Sequence, residues 1–375
     1  MPGARTPLRI ALLGTRGVPA RYSGFETCAE ELGARLATRG HAVTVYCRVP
    51  HVSDAGPSYR GMRLVKLPTI RSKHLDTIVH SALSSLHALV QGYDVALYFN
   101  VGNSPVCWIP RLAGQRVALN VDGLDWKRKK WGRFARWFIR TSERWAARAA
   151  QRIVTDSRRV QQYYRETYAA DSAYIAYGAE PVAAAPGPTL ARHGLAPGRY
   201  VLFVGRLVPE NCAHQLVEAW RTLSTDLACV IVGDAPYAEA YIRSLCATSD
   251  PRVIFTGYVF GDGYRELLSN AYGFVETSEV GGTHPALLEA MAAGIPVVVN
   301  DTPENLETMG EAGLSYDGEI GAPSLAAVLE RLLKDPLLAA ALGRRGLERV
   351  RAQYSWDHVT DAYEALFRDL VARRR

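Results

Sequence analysis

Three segments of this 375-residue chain combine glycines with charged side chains in a spacing that suits a phosphate-bearing ligand. The strongest is the run VGGTHPALLE, from Val280 to Glu289. Pro285 suits the first turn of a helix, and the unpaired amides at a helix N-terminus stabilise a phosphate. Glu289 falls about one turn inside that helix, where its carboxylate can accept hydrogen bonds from ribose hydroxyls. The segment therefore predicts a site for a phosphorylated ligand that also carries hydroxyl groups.

The second segment is VGRLVPEN, from Val204 to Asn211, which follows a strand-like run. A single arginine is most often a solvated surface residue. Arg206, however, stands at the carboxyl end of a predicted strand, where α/β sheets bind ligands. Because a guanidinium can neutralise a diphosphate through paired hydrogen bonds, we predict that Arg206 binds one.

The third segment is GTRGVP, from Gly14 to Pro19, and YSGFET continues it from Tyr22 to Thr27. A glycine-rich turn lets backbone amides approach a phosphate or a sugar, although taken alone this motif favours a simple tight turn. Its spacing matches neither the dinucleotide fingerprint nor a P-loop. Glu26 opens the next predicted helix, where it either interacts with the helix dipole or contacts a sugar.

Apolar runs and helical patterns alternate in two successive series. The predicted strands of the first series are Arg9 to Leu13, His41 to Tyr46, Asp94 to Phe99, Arg116 to Asn120 and Arg152 to Thr155. Those of the second series are Tyr200 to Val204, Ala228 to Val232, Val253 to Thr256, Gly273 to Glu276 and Pro296 to Val299. Such alternation is typical of parallel sheets covered by helices on both faces. We therefore predict an α/β fold of two Rossmann-like domains facing a central cleft.

The boundary between the domains is predicted at a change in composition. The run AAAPGP, from Ala183 to Pro188, indicates a linker. We place the first domain at residues 1–182 and the second at residues 183–355. A last helical pattern, at about residues 356–375, lacks a strand partner, and we consider that it packs back on the first domain.

Composition narrows the setting of the protein. The net charge of +7 fits nucleic acid, an anionic membrane or a phosphorylated substrate. The sequence has no apolar run of about 18 residues, as a membrane-spanning helix requires, and its N-terminus lacks a signal-peptide pattern. Its six cysteines lack CxxC spacing, which argues against zinc and favours reduced thiols. We therefore expect a cytoplasmic protein.

The segment from Trp126 to Arg152 interleaves basic and aromatic residues. The basic ones are Lys127, Arg128, Lys129, Lys130, Arg133, Arg136, Arg140, Arg144, Arg148 and Arg152, and the other aromatic ones are Trp131, Phe134, Trp137, Phe138 and Trp145. Helical spacing puts Phe134, Phe138, Ser142 and Trp145 on one face. The pattern suits an anionic membrane surface or nucleic acid. It suits equally well a solvated arginine face with the aromatic rings in the core, so three interpretations stay open.

Several of these runs resemble a known family. The run from Val204 to Arg206 and the run LEAMAAGIPVV, from Leu288 to Val298, look like glycosyltransferase family 4, whose members have the two-domain GT-B fold. The run from Gly14 to Thr27 and the run NVDGLDWKR, from Asn120 to Arg128, resemble a bacterial subgroup that includes β-1,4-rhamnosyltransferases of surface polysaccharide assembly. The resemblance covers nearly the whole chain.

The chain departs from the broad family at three positions. The family has two donor-site glutamates with seven residues between them. The second matches Glu289, whereas the first falls on Gly281. The family's usual lysine falls on Asn211, and a histidine of the front domain falls on Asp122. These replacements are similar to those of the rhamnosyl subgroup. Because they remove a carboxylate and a cation, Arg206 and the helix N-terminus must stabilise most of the diphosphate charge.

The resemblance implies a retaining glycosyltransferase with an acceptor-side first domain and a donor-binding second domain. The sugar would pass from a nucleotide donor to a glycan or a polyprenyl-diphosphate-linked acceptor. The expected donor is dTDP-rhamnose, and UDP-hexoses are the second choice. No metal or other cofactor is expected, since the sequence has no DxD motif. A lipid-linked acceptor would favour the membrane interpretation, at the inner face of the cell membrane, and nucleic acid is not expected as a partner. The alternative is a non-catalytic carbohydrate- or partner-binding protein on the same fold.

The predicted site residues follow from these motifs. As catalytic residues we expect Arg206, Glu289 and Asp122. As donor-binding residues we expect Gly17, Gly205, Arg206, Asn211, Tyr258, Gly281, Gly282, Thr283, His284, Pro285 and Glu289. On the acceptor side we expect Ser23, Gly24, Phe25, Glu26 and Asp125. His284 receives no catalytic role, because a lone histidine is more often structural or solvated.

Overall fold

The computed structural model describes residues 6–20, 24–52, 56–70, 76–124, 126, 132–235 and 238–373. Two of the predicted acceptor-side residues, Ser23 and Asp125, lie outside this part, as does the run 127–131 of the basic segment. The chain divides into two compact units, the first formed by Met1–Tyr177 with Trp356–Arg375 and the second by Gly178–Ser355. The predicted cleft between two domains stays a prediction.

The first unit is built around a mostly parallel sheet. Its strands are β1 (Arg9–Leu13), β2 (Ala42–Arg48), β3 (Ser58–Tyr59), β4 (Met62–Leu67), β5 (Val95–Phe99), β6 (Arg116–Asn120), β7 (Arg152–Thr155) and β8 (Ser172–Tyr174). Its helices along the chain are α1 (Gly24–Thr38), α2 (Asp76–Leu89), α3 (Arg133–Ala149) and α4 (Arg158–Tyr168). Within the described residues the strand order is β3-β4-β2-β1-β5-β6-β7-β8, and only β3 and β4 pair antiparallel. β5 is buried at every residue, because helices cover both faces of a parallel sheet and its strands become continuous apolar runs.

The second unit repeats this plan. Its strands are β9 (Tyr200–Val204), β10 (Ala228–Val232), β11 (Val253–Gly257), β12 (Gly273–Glu276), β13 (Val297–Asn300) and β14 (Gly313–Tyr316). Its helices are α5 (Pro188–Arg192), α6 (Ala213–Thr222), α7 (Glu239–Cys246), α8 (Gly261–Ser269), α9 (Pro285–Ala292), α10 (Pro303–Met309), α11 (Ala322–Lys334) and α12 (Pro336–Arg349). The sheet is parallel, with the order β11-β10-β9-β12-β13-β14. The strand order therefore reverses between β9 and β12.

All ten predicted strands are present, and their ends differ from the predicted ones by no more than two residues. Each unit has its own apolar core, with Tyr98 fully buried in the first and Trp220 in the second. The strands that the apolar runs did not indicate are β3, β4, β8 and β14. β3, β8 and β14 are edge strands among the described residues, and β4 lies next to such an edge. The fourth edge strand, β11, was indicated by its apolar run.

The last helix, α13 (Trp356–Ala372), packs on α1 and belongs to the first unit. Glu364 of α13 accepts hydrogen bonds from Arg39 at 3.0 Å and from Arg368 at 2.7 Å. Its Oε1 also lies 3.4 Å from Nε2 of the buried His41. Burial opposes ionisation of this carboxyl group, but the two arginines outweigh it and lower the pKa of Glu364 from 4.5 to about 2. This charged cluster fixes the C-terminal helix to the first unit.

We predict that Glu364→Gln lowers the free energy of unfolding at pH 7 by about 1–3 kcal/mol. The pKa of Glu364 is lowered in the folded chain, so its contribution is present above the unfolded-state pKa and is lost as the pH falls from 4.5 towards about 2. Wild-type stability should therefore fall more steeply than that of the variant over this range. Urea denaturation followed by tryptophan fluorescence at a series of pH values measures both effects.

The matched control is Glu330→Gln, which removes the exposed ion pair between Glu330 and Lys334 on α11. Exposed pairs of this kind contribute about 0.5 kcal/mol or less. Equal losses in the two variants would show that the Glu364 cluster does not fasten α13.

Candidate functional site

The predicted donor-site motifs meet at one end of the second unit's sheet. Ligands of open α/β sheets bind beyond the carboxyl ends of the strands, at the point where the strand order reverses. Here that point lies between β9 and β12, which are paired in parallel. The loop after β9 carries Gly205, Arg206 and Asn211, and the loop after β12 carries Gly281 and Gly282 before α9 begins. Two segments about 75 residues apart in sequence thus reach the same sheet end because their strands are neighbours.

Hydrogen bonds tie these two loops together. The hydroxyl of Thr277 donates to the carbonyl of Asn211 at 2.5 Å, and the amide of Glu279 donates to the carbonyl of Glu210 at 3.0 Å. The side-chain nitrogen of Asn211 donates to the carbonyl of Arg206 at 2.9 Å. The amide at position 211 therefore holds the backbone that carries Arg206. Binding of the donor by Asn211 itself stays a prediction.

Gly205 and Gly233 let the loops after β9 and β10 meet backbone to backbone. The amide of Gly205 donates to the carbonyl of Val232 at 3.0 Å. A Cβ on Gly233 would lie 1.8 Å from the carbonyl oxygen of Gly205. Gly233 also has a φ of 141°, in the region that favours glycine. The sequence analysis did not select Gly233, although its place directly after an apolar strand, in the run VIVGDA, was an available signal.

Arg206 presents a half-buried guanidinium at this sheet end. Within the described ranges it has no salt-bridge partner. A half-buried cation without a protein counter-charge favours an anionic ligand, because partial burial weakens solvent screening. The position of Arg206 is therefore suited to a phosphate.

Helix α9 begins as the sequence predicted, with Pro285 in its first turn and His284 as its N-cap residue. In the part of the chain that the structure describes, no side chain caps the amides of this first turn, so that they can bind an anion. Gly282 and Thr283, which precede the cap, are buried. The start of α9 therefore offers backbone donors at the same sheet end as Arg206.

Glu289 is held by a tyrosine that the sequence analysis did not select. The hydroxyl of Tyr264, on α8, donates to Oε2 of Glu289 at 2.5 Å. Burial, and then the negative charge of Glu289, raise the pKa of Tyr264 well above its ordinary value. The phenol therefore stays protonated and orients the carboxylate.

Two exposed aromatic rings follow β11. Tyr258 and Phe260 stack at 5.5 Å between ring centroids, with 20° between the ring planes, and are 42% and 55% exposed. The hydroxyl of Tyr258 donates to the carbonyl of Asp234 at 2.9 Å, which fixes the ring. Exposed rings of this kind offer a stacking surface for a nucleotide base.

In the first unit, Gly17 and Asp122 follow β1 and β6. Gly17 has a φ of 116°, and a Cβ there would lie 2.7 Å from the Cβ of Cys47, so the loop packs closely on β2. Asp122 has a φ of 54°, a left-handed conformation that aspartate tolerates. Its amide donates to Oδ1 of Asn120 at 3.2 Å. The structure thus places Asp122 at a strand end, where a ligand contact is possible.

Charged side chains brace the glycine-rich loop of the first unit. Oε1 of the buried Glu26 accepts a hydrogen bond from the amide of Arg16 at 2.9 Å. Arg48 donates to the carbonyl of Gly14 at 3.3 Å and pairs with Asp76 at 2.7 Å. Glu26 therefore holds the loop, which is a role that neither sequence interpretation included, and its contact with an acceptor stays a prediction.

The other described acceptor-side residues lie beside this loop. Gly24 is the first residue of α1. The ring of Phe25 meets the ring of Phe99 edge-on, with 6.0 Å between the centroids. Phe25 is half-buried, so that part of its ring is accessible.

Helix α3 exposes its aromatic residues, so the interpretation that put them in the core is wrong. Phe134, Trp137, Phe138 and Trp145 are 76%, 60%, 37% and 52% exposed. The buried residues of the helix are Ile139, Ser142, Glu143, Ala146 and Ala149. Ser142, expected on the aromatic face, is therefore on the buried one. The helix packs through small side chains and through Glu143, which accepts hydrogen bonds from Tyr163 and Tyr168.

Two further features bear on the setting. No helix among the described residues is both long enough and apolar enough to span a bilayer. The same residues include no group of three or more histidine, cysteine, aspartate or glutamate side chains placed to hold a metal ion.

Two protein-family models match the chain, one in each unit. The model described as "Glycosyl transferase 4-like domain" matches residues 23–178, and "Glycosyl transferases group 1" matches residues 198–335. A GDP-mannose-dependent alpha-(1-6)-phosphatidylinositol monomannoside mannosyltransferase from Mycobacterium tuberculosis is 28% identical, over 92% of this chain and 94% of that protein. The alpha-maltose-1-phosphate synthase of Mycolicibacterium smegmatis is 25% identical, over 97% of this chain and 100% of that protein.

Solved structures are similar over nearly the whole length. Sucrose-phosphate synthase from Thermosynechococcus elongatus has a TM-score of 0.82 and 23% identity, covering 98% of this chain and 100% of that one. Anabaena Alr3699/HepE in complex with UDP-glucose has a TM-score of 0.78 and 16% identity, covering 96% and 99%. These similarities confirm the predicted GT-B fold, with two α/β domains and parallel sheets.

We predict that Gly233→Ala lowers the free energy of unfolding by about 2–4 kcal/mol, because a side chain at this position meets the Gly205 carbonyl in a backbone conformation that disfavours it. The control is Gly132→Ala. Gly132, the N-cap residue of α3, has a φ of −68° and, among the described residues, nothing within 4 Å of an added Cβ, so a change of about 1 kcal/mol or less is expected. Thermal unfolding followed by circular dichroism compares the two. Equal midpoints would contradict the close approach of the two loops.

Proposed function

We propose that this chain transfers a sugar with retention of its anomeric configuration. The chain is a glycosyltransferase, with a glycosyl transferase 4-like domain and a group 1 domain. The donor is a nucleotide sugar, and the proposed acceptor is a glycan or a lipid-linked sugar of surface polysaccharide assembly. The observation that carries the proposal is the guanidinium of Arg206, which has no salt-bridge partner among the described residues, at the same sheet end as the start of α9. The alternative of a non-catalytic binding protein does not hold, since both domains and the named relatives are those of transferases.

The nucleotide donor is proposed to bind at the carboxyl ends of the second unit's strands. Arg206 and the amides at the start of α9 take the diphosphate. Glu289, oriented by Tyr264, accepts hydrogen bonds from the ribose hydroxyls. The stacked rings of Tyr258 and Phe260 face the base.

Charge stabilisation is the proposed source of catalysis. As the bond between the anomeric carbon and the diphosphate oxygen breaks, negative charge grows on the diphosphate. Donors that are already in place stabilise this charge without reorganising. The acceptor hydroxyl attacks from the face that the diphosphate leaves, and its proton passes to the departing phosphate oxygen. Because protein groups carry the charge, the proposal requires no metal and expects full activity in the presence of a chelator.

The proposed donor sugar is rhamnose, supplied as dTDP-rhamnose. Support comes from the resemblance of the runs Gly14 to Thr27 and Asn120 to Arg128 to the rhamnosyl subgroup, and from Gly281 in place of a glutamate. GDP-mannose is the second candidate, because relatives that match the chain carry this donor in their names. UDP-hexoses follow, since a structural neighbour binds UDP-glucose. Donor-induced shifts in melting temperature separate the three.

The first unit is proposed to bind the acceptor. Asp122, at the end of β6, is the proposed catalytic carboxylate there, and Gly17 is a proposed donor-binding residue. Gly24, Phe25 and Glu26, at the start of α1, form the acceptor side. Support comes from the strand ends of the first sheet. Asp122 follows β6, Glu26 contacts the loop after β1, and Phe25 contacts Phe99 at the end of β5.

Helix α3 is proposed to bind the anionic inner face of the cell membrane, where the enzyme would encounter a lipid-linked acceptor. The four exposed aromatic residues alternate with exposed arginines. These are Arg133, Arg136, Arg140, Arg144 and Arg148. Aromatic side chains partition into the membrane interface, and arginines bind anionic headgroups. This proposal gives the exposed aromatic residues of α3 a partner.

We predict that Arg206→Ala lowers kcat/KM by about 10²–10³-fold, because charge on the leaving diphosphate loses its main side-chain partner. Glu289→Gln should mainly raise the KM for the donor. Release of nucleoside diphosphate is measured with each donor and a lipid-linked acceptor, and NMR of the product reports the anomeric configuration. The control Arg243→Ala removes an exposed arginine of α7 and should leave activity unchanged. Full activity in Arg206→Ala, or an inverted product, would contradict the mechanism.

We predict that Phe134→Ala with Trp137→Ala weakens binding to phosphatidylglycerol vesicles about tenfold or more, because two interfacial anchors are lost. Vesicle co-sedimentation measures this binding, which should also weaken with added salt. Trp108→Ala, which removes an exposed tryptophan elsewhere on the same unit, is the control. Unchanged vesicle binding would overturn the membrane proposal. Salt-dependent binding to oligonucleotides instead would favour nucleic acid.

A further inference from the structure

The imidazole of His284 fills the space beside Gly281. A Cβ built on Gly281 would lie 2.5 Å from both Cε1 and Nε2 of this ring. A larger residue at position 281 is therefore excluded while the ring stays in place. The position where the broad family has its first glutamate is occupied by an imidazole that approaches from three residues further along the chain.

Glu276 lies at the opposite edge of the ring. Its Oε2 is 3.9 Å from Nδ1 of His284. Its other oxygen accepts hydrogen bonds from the amide of Ser278 at 3.0 Å and from the Ser278 hydroxyl at 2.5 Å. Glu276 is the last residue of β12 and is buried. The carboxylate is thus anchored to the sheet, and its negative charge lies close to the ring without a direct hydrogen bond to it.

The ring of His284 is partly accessible where it packs beside Gly281. The side chain of His284 is 20% exposed, so the ring is neither enclosed nor fully solvated. Among the residues that the structure describes, none forms a hydrogen bond with Nε2. As the N-cap residue of α9, His284 lies at the uncapped amides that the proposed function assigns to the diphosphate.

We propose that Nε2 of His284 binds the β-phosphate of the nucleotide donor, and that Glu276 is a positioning residue for the ring. This inference rests on the proposed function and deepens it. Asn211 supplies no charge where the broad family has a lysine, and its side chain is engaged with the Arg206 carbonyl. A histidine–glutamate pair supplies a further phosphate contact at the same sheet end.

Comparing the binding of nucleoside diphosphates with that of monophosphates distinguishes a phosphate-binding role of His284 from a packing role. A ring that only packs on Gly281 affects folding, and thereby the binding of every nucleotide alike. A ring that contacts the β-phosphate affects the nucleoside diphosphate and leaves the monophosphate unchanged. Isothermal titration calorimetry measures the affinity of the wild-type chain for UDP, GDP and dTDP and for the matching monophosphates. The variants are then titrated with the diphosphate that binds most tightly and with its monophosphate.

We expect His284→Ala to weaken binding of the nucleoside diphosphate about tenfold and binding of the monophosphate by less than about twofold. His284→Gln, whose amide can donate near the same point, should restore part of the loss. Glu276→Gln should weaken binding of the nucleoside diphosphate severalfold. Added to His284→Ala, it should cause no further loss of this affinity. The control His193→Ala, at the end of α5, should bind both ligands normally.

Gly281→Ala tests the packing directly. The added methyl group displaces the ring, so this variant should lose diphosphate affinity as His284→Ala does. In the His284→Ala background it should cost nothing more, since the space is then free. Melting temperatures of all variants identify any that fail to fold.

Equal loss of both ligands in a folded His284→Ala variant, or no loss at all, would overturn the inference and leave the proposed function standing. If the wild-type chain binds none of the three diphosphates, the proposed donor site and this inference fall together.

Discussion

The carbonyl of Gly205 lies where a side chain of residue 233 would be, and this contact constrains the candidate donor site. It fixes the loop after β9 against the loop after β10, at the carboxyl end of the second unit's sheet. The next residue is Arg206, whose own carbonyl is held by Asn211. The guanidinium therefore projects from a backbone fixed on both sides. Such prior placement is what makes a charge effective in stabilising a leaving group, because no reorganisation is needed when the charge develops.

Two positions where the resemblance predicts charged residues make local contacts in this structure. The side chain of Asn211 holds the loop that carries Arg206. At Gly281, the ring of His284 takes the space that a side chain would need. A site with fewer charged side chains depends more on backbone amides and on oriented neutral donors.

The central part of each sheet could be predicted from the sequence, because strands buried on both faces become continuous apolar runs. The edge strands β8 and β14 could not, since their sequences, SAY and GLSY, contain no run of apolar residues. The edge strand β11 was predicted, because it keeps the apolar run VIF. Arg206 and the start of α9 were found because glycine and proline at strand and helix ends are local signals. Tyr264 was missed, because its contact with Glu289 joins two helices through tertiary packing. On α3, helical spacing put Ser142 with the aromatic residues, and it could not show that Ser142 is buried while those residues are exposed.

The central claim is that the second unit binds the donor diphosphate between Arg206 and the start of α9. A crystal structure of the chain with a bound nucleoside diphosphate tests this claim most directly. The account predicts phosphate oxygens within hydrogen-bond distance of the Arg206 guanidinium and of amides in the first turn of α9. A diphosphate held elsewhere, with Arg206 turned to solvent or paired with a carboxylate, would contradict it.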